Sequence, residues 1–327
     1  MMNINTKMPK FGLLSGYRVI MMGASVAAPF AGELYAENGA DVIWLEHPTN
    51  VDSSRAARKS GAWQQDRRNM RSLAMNYTKD EGKEVFLKLI ETTDVLIEAS
   101  IGGRYEKMGL GDEILWQRNP KLVIAHISGF GQTGIPEYVG RASYDPIAQA
   151  FGCVMRMNGL PGQPSAPAMP FPADFTASFY AYGMTLAALL KRNETGKGES
   201  FDIAQYELMM HLQANYPTDY LRYGRDYIKE GNHSRICASY GTYSWLLASN
   251  GVPCSRLMSY EEAVTHPHYQ AREVFTTWTA ADGITPIPGV NIVPKIKNYP
   301  GQIWRGAPNI GMDNEDILEE LGIPRKQ

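Results

Sequence analysis

Residues 17–46 read YRVIMMGASVAAPFAGELYAENGADVIWLE. The first part, YRVIMMG (17–23), is a short apolar run closed by glycine, the pattern of a buried strand. PFAGELYAENGA (29–40) follows as a helix that opens with proline and closes at Gly39. DVIWLE (41–46) is the next strand. Further along, KDEGKEVFLKLIETT (79–93) puts Val85, Phe86, Leu89 and Ile90 on one helical face, with strands expected at DVLIEAS (94–100) and KLVIAHIS (121–128). ESFDIAQYELMMHLQANY (199–216) reads as a strand running into a helix, and DNEDILEELG (313–322) as a helix with an acidic first turn and a glycine stop. Strands that alternate with helices predict parallel βαβ units and an α/β sheet. Residues 140–174, rich in Gly and Pro, read as a long ordered loop, and 217–300 as short elements with many turns.

The chain has 327 residues, 44% hydrophobic and 20% charged, the composition of a globular protein of one large or two medium domains. Lys and Arg total 32 against 34 Asp and Glu, with no long basic tract, so nucleic-acid binding is not expected. Cys153, Cys237 and Cys254 are an odd, sparse set, which suits reduced thiols in a cytoplasmic protein. The pair His266 and His268 lacks other nearby ligand spacing, so no metal site is expected. The apolar run after MMNINTKMPK is read as a folded βα unit rather than a signal peptide, and no membrane span is expected.

Two stretches invite a chemical reading. GFGQTG (129–134) fits the glycine pattern of dinucleotide sites, but Ile135-Pro136-Glu137 interrupts where the helix should open, so a tight structural loop is expected. PAMPFPADFTASFYAYG (167–183) leads through prolines to a single acid, Asp174, at the start of a helix expected over 175–192. Asp174 reads either as a helix N-cap or as a nucleophile held at the positive helix end. No Walker lysine loop or nucleophile-elbow serine occurs, so scanning for motifs alone leaves the activity open.

The blocks AAPFAGELYAENGADVIWLE, NYTKDEGKEVFLKLIETTDVLIEAS, LVIAHISGFGQTGIPEY, PFPADF, ETGKGESFDIAQYE and NYPGQIWRGAPNIGMD occur in order over most of the chain. Together they resemble a class III (family III) CoA-transferase, nearest to the branch that acts on L-carnitine and crotonobetainyl-CoA. The resemblance implies a Rossmann-like parallel-sheet large domain, and Asp174 as a nucleophile that forms an anhydride and then an aspartyl-CoA thioester. It implies a CoA thioester as substrate, a small carboxylic acid of the carnitine type as acceptor, no permanently bound cofactor, and an interlocked homodimer. It also implies a CoA groove lined by His47, Arg71, Ala99, Ser100, Ile101, Arg104, Lys107 and Met108. Ile101 stands where the carnitine branch tends to carry Lys, with Arg104 positioned to compensate. A sister branch of racemases carries His-Asp where this chain has Tyr144-Asp145; a Tyr near pKa ~10 is a poor substitute for a His near ~6.5 at neutral pH. Phe171, Phe175, Tyr180 and Tyr144 are candidates for an aromatic wall around a trimethylammonium group.

One departure from the family pattern is large. CASYGTYSW (237–245) runs straight into LLASNGVPCSR (246–256), so most of a small domain is expected to be missing, with a junction near Trp245–Leu246. The expected division is a large CoA-binding domain over 1–216 and 285–327, with linkers and a small-domain remnant over 217–284. The alternative function is a CoA-binding product of that deletion with no turnover.

Overall fold

A computed structural model describes residues 8–55, 61–227, 229–231 and 258–324. Six strands form one sheet: β1 (Arg18–Met22), β2 (Asp41–Glu46), β3 (Arg71–Ala74), β4 (Val95–Ala99), β5 (Val123–Ser128) and β6 (Ser200–Ala204). Their order is β3-β2-β1-β4-β5-β6 and every pairing is parallel. This is the doubly wound arrangement, in which the direction of winding reverses between β1 and β4. The reversal leaves a crevice at the carboxyl ends of those two strands.

Side-chain alternation explains the two covered faces. Val19, Met21, Val42, Trp44, Val95 and Ile97 point into one core, against helices Ala27–Glu37 and Pro172–Thr195. Ile20, Ile43, Leu73, Leu96 and Ile124 point into the other, with Phe86 and Leu89 of helix Asp80–Ile90 and Ile317 of helix Asn314–Glu320. A sheet covered on both faces needs apolar residues at successive positions, which is why the strands read as continuous apolar runs. Gly39 turns the chain from the first helix into β2 at φ 90°, and a Cβ there would stand 1.8 Å from Phe11 O. No side chain fits that turn.

Strand β3 was not expected as a strand, because RRNMRS reads as a charged segment. Its charges are buried. Arg71 donates to both carboxylate oxygens of Asp41 (2.8 and 2.7 Å) and to Glu320 (2.9 Å), while Arg18 donates to the same two acids. Burial acts to raise the Asp41 carboxyl, and the two guanidiniums outweigh it, holding the group below its ordinary value. The expected loop over 140–174 also contains helices, Asp145–Phe151 and Val154–Met157.

Two further strands, β7 (Phe275–Thr279) and β8 (Pro286–Val290), form an antiparallel pair. Arg68 joins this pair to the main body: it donates to Val290 O (2.7 Å) and its guanidinium lies 4.8 Å from the Trp278 ring. The boundary expected at 284–285 falls in the turn of that pair. The junction expected near Trp245–Leu246, together with Cys237 and Cys254, lies outside the described residues. Among the described residues no helix is long and apolar enough to cross a membrane.

Candidate active site

The crevice at the reversal point is a cavity of about 640 Å³. Its walls come from the segments that follow β1, β2, β3, β4 and β5, and Asp174 and Gln205 line it as well. Ligands bind at this place in open α/β sheets because strand ends diverge there and leave loops free to shape a site.

Asp174 is not the cap of its helix. The helix spans Pro172–Thr195 with Phe171 at the N-cap in the left-handed region, and Asp174 is the third residue. Proline at the first position suits a helix start, since no N–H is lost there. The exposed amides are capped from another helix. Asp145, 2% exposed, accepts from Ala173 N at 2.7 Å and Asp174 N at 3.4 Å, and Gln149 also donates to its carboxylate. Asp145 therefore does the capping that Asp174 was a candidate for, which leaves the Asp174 carboxylate free of that duty.

Gln205 donates to Asp174 Oδ1 at 2.5 Å, and no cation pairs with Asp174 among the described residues. Burial, then the charge of Asp145, pushes the Asp174 carboxyl up from 3.8 to about 6; the Gln205 hydrogen bond pulls the other way. A raised carboxyl is a better nucleophile when ionised than an ordinary one, because basicity and nucleophilicity rise together. A nucleophile at this position would have to be ionised, and kcat/KM would then climb as pH rises through about 6 and level off above it. A pH profile flat between 5 and 7 would contradict this.

The other acids around the cavity are neutralised. Glu46 is paired with Arg55 and Asp52 with Arg67. Glu98 lies 2.7 Å from His126 Nδ1, whose Nε2 lies 2.9 Å from Asp112. Burial opposes charge on His126, yet hydrogen bonds to the two acids outweigh it and push the imidazole up to about 10. By contrast Arg104 and Arg141 line the cavity with no acid paired to either among the described residues. Arg141 lies over Phe130 (5.4 Å) and Tyr138 (5.1 Å). The cavity wall thus carries two guanidiniums without an acid partner and one carboxylate, Asp174, without a cation among the described residues.

Of the residues expected in the CoA groove, His47, Ala99, Ser100, Ile101 and Arg104 line this cavity together with Asp174. Three do not. Arg71 is 1% exposed, bonded to Asp41 and Glu320, and does not line the cavity. Met108 packs on the apolar cluster beneath helix Asp80–Ile90, and Lys107 is exposed outside the cavity wall. His47 Nδ1 accepts from Asn50 N at 3.0 Å, which shapes the turn after β2. GFGQTG forms a loop pinned by Gln132 N to Asp202 (2.8 Å), and the helix that follows it directly, Pro136–Val139, has only four residues. Gly129 in this stretch admits Ser143 so closely that a Cβ would stand 2.0 Å from the Ser143 Cβ.

Sequence reading missed Gln205, Asp52 and the capping role of Asp145. Gln205 follows directly on β6, and the residue after a parallel strand is a place to look for site residues.

The sequence matches the family model for CoA-transferase family III over residues 14–245 and 244–314. The chain belongs to CoA-transferase family III. The two matched segments meet at residues 244–245, beside the junction expected near Trp245–Leu246. Among solved structures, a CAIB/BAIF family protein from Brucella suis is 24% identical and superposes with a TM-score of 0.84, covering 95% of this chain and 100% of that one. The hypothetical protein Rv3272 from Mycobacterium tuberculosis is 21% identical, with a TM-score of 0.79 over 95% of this chain and 100% of that one. These likenesses place the family III fold on the chain. A truncated small domain is not shown by them.

Proposed function

We propose that this family III CoA-transferase moves CoA between carboxylic acids by covalent chemistry at Asp174. The observation that carries the reading is the half-buried Asp174 carboxylate, unpaired with any cation among the described residues, in the wall of a cavity whose other acids are neutralised.

The steps follow from the reactivity of acyl groups. The Asp174 carboxylate attacks the thioester carbonyl; the C–S bond breaks and CoA leaves as a thiolate. The product is a mixed anhydride. The thiolate then attacks the Asp174 carbonyl carbon, the anhydride C–O bond breaks, and the donor acid leaves as a carboxylate. Asp174 now carries CoA as a thioester. The acceptor carboxylate attacks that thioester carbon and expels the thiolate, which attacks the acceptor's own carbonyl in the new anhydride. Acceptor-CoA departs and the Asp174 carboxylate is restored. No proton is gained or lost, and one difficult exchange becomes several steps of similar energy.

Arg104 supports the CoA reading, since an unpaired guanidinium suits phosphate oxygens. Arg104→Gln is expected to raise KM for the acyl-CoA about tenfold, the equivalent of ~1.4 kcal/mol, with little change in kcat. A fall in kcat at constant KM would assign Arg104 another role.

Carnitine-type acids are the substrate class named by the sequence likeness. Of the four aromatic residues expected around a trimethylammonium group, Tyr144 lines the cavity and Phe171 does not, whereas Phe175 packs edge-on against Phe30 (4.8 Å) and Tyr180 against His211 (6.3 Å). The wall is thus thinner than expected. The test is CoA transfer from crotonobetainyl-CoA to L-carnitine by the purified chain, read by chromatography. Carnitinyl-CoA formation would support the class, and transfer only to other acids would limit the reading to family III chemistry. The homodimer belongs to the same proposal. Helix Pro172–Thr195 exposes Phe179 (55%) and Leu190 (71%), apolar surface of the kind that partners cover.

A further inference from the structure

The turn that joins β1 to helix Ala27–Glu37 crosses the cavity wall at the reversal point, where Ser25, Val26 and Ala27 line the space. Ser25 has φ 62°, in the left-handed region that non-glycine residues disfavour. Such a conformation persists only where surrounding groups hold it. Both peptide groups of Ser25 are held by one ion pair. Arg67 Nη2 donates to Ser25 O at 2.9 Å, and Ser25 N donates to Asp52 Oδ1 at 3.3 Å. Arg67 Nη2 also donates to Asp52 Oδ2 at 2.6 Å.

The pair is itself fixed. Arg67 is 0% exposed and its guanidinium lies 5.1 Å from the Trp44 ring, while Arg55 lies 4.2 Å from the same ring. Asp52 also accepts from Ser54 N at 2.9 Å. Arg67 Nε and Nη1 have no hydrogen-bond partner. A fully buried guanidinium with two of its nitrogens unsatisfied is a costly way to gain stability, since an apolar residue fills such a space at less desolvation cost. Its two hydrogen-bonded acceptors are Asp52 and Ser25, with Nη1 also 3.6 Å from Asp66 Oδ2, so one thing it supplies is orientation of the Ser25 turn.

The turn is in turn tied to the nucleophile. Ser178, one helical turn after Asp174, donates to Ala27 O at 2.6 Å, with Asp174 O at 2.9 Å. Gly23 closes the other side, since a Cβ there would stand 2.6 Å from the Ala28 Cβ and 3.2 Å from the Ala99 Cβ. The turn therefore cannot slide toward β4. A continuous path runs from Asp52 through Ser25 and Ala27 to Ser178 and the backbone of Asp174.

We propose that Arg67 and Asp52 are positioning residues that fix the distance between the Ser25 turn and the Asp174 carboxylate. They hold an acyl-CoA seated along the turn within attack distance of that carboxylate. The proposal rests on the assignment of Asp174 as nucleophile. Neither residue attacks or releases a group; each acts through the turn. Displacement by about 1 Å from attack geometry costs on the order of 10²-fold in rate.

The test is a double-variant cycle on purified enzyme, with Asp52→Asn and Ser178→Ala made singly and together. Expected are kcat losses of about 10²-fold for Asp52→Asn, with KM for acyl-CoA changed far less. In the double variant the loss is expected to fall well short of the product of the single losses, because both cut one path. Multiplying losses, or wild-type kcat in folded Asp52→Asn, would overturn the proposal. So would a KM that rises in proportion as kcat falls. Should Asp52→Asn fail to fold by circular dichroism, Asp52→Asn combined with Arg67→Met replaces it, since removing both partners leaves neither charge buried alone while still releasing Ser25 N and O. Wild-type enzyme is assayed in parallel for covalent adduct on Asp174. Absence of that adduct removes the nucleophile reading itself, whereas an adduct with independent, multiplying losses removes the positioning role alone.

Discussion

Asp174→Asn is expected to lower kcat for CoA transfer on the order of 10⁴-fold or more, as loss of a covalent nucleophile does elsewhere. The other acids lining the cavity cannot take over. Glu46 and Asp52 are bound to arginines, and Glu98 to His126. The asparagine oxygen still accepts from Gln205, so the local structure is expected to survive. The same variant is expected to be more thermally stable than the wild type at neutral pH. In the folded protein the Asp174 carboxyl titrates at about 6, above its ordinary 3.8. The folded state therefore binds more protons between those values, and stability falls as pH rises from about 4 to about 6. Asparagine carries no such cost. The gain in Tm should be present at pH 7.5 and absent near pH 3.5, which thermal unfolding at the two pH values checks. A variant with lower activity and a lower Tm at pH 7.5 would mean that Asp174 holds the fold together rather than storing strain for reaction.

Arg71→Ala is expected to destabilise the fold by about 3–5 kcal/mol, the usual cost of breaking a buried ion pair from one side. Asp41, 1% exposed, keeps Arg18 but loses its bidentate partner, and Glu320 loses its link to β3. Urea denaturation measures the loss. The fraction that stays folded should keep the wild-type KM for acyl-CoA, because Arg71 does not line the cavity. An increase in KM with unchanged stability would restore Arg71 to the CoA groove and overturn the structural assignment.

Arg71 also shows where sequence stops being legible. β1, β2, β4 and β5 were readable because a strand covered on both faces must be apolar at nearly every position. β3 was not, since two of its four residues are Arg71 and Ser72. A guanidinium reads as exposed until its partner is known, and Glu320 lies 249 positions away along the chain. The candidate site divides in the same way. Prolines ahead of a helix marked Asp174 directly. The group that caps that helix, Asp145, sits on a seven-residue helix inside a stretch whose Gly and Pro content reads as loop. The clamp on Ser25 joins residues 25, 52 and 67, which share no motif and meet only when β1 and β2 pair and the following loops close over them. Local propensity fixes elements; long-range pairing of charges fixes what those elements present to the cavity.

The central claim is that CoA becomes covalently attached to Asp174. The most direct measurement is intact-protein and peptide mass spectrometry after brief mixing of the purified chain with acyl-CoA and acid quench. The expected result is a fraction of the protein heavier by the mass of CoA less one water, located on the peptide containing Asp174 and absent in Asp174→Asn. Transfer of CoA without any such adduct, or an adduct that persists in Asp174→Asn, would contradict the account.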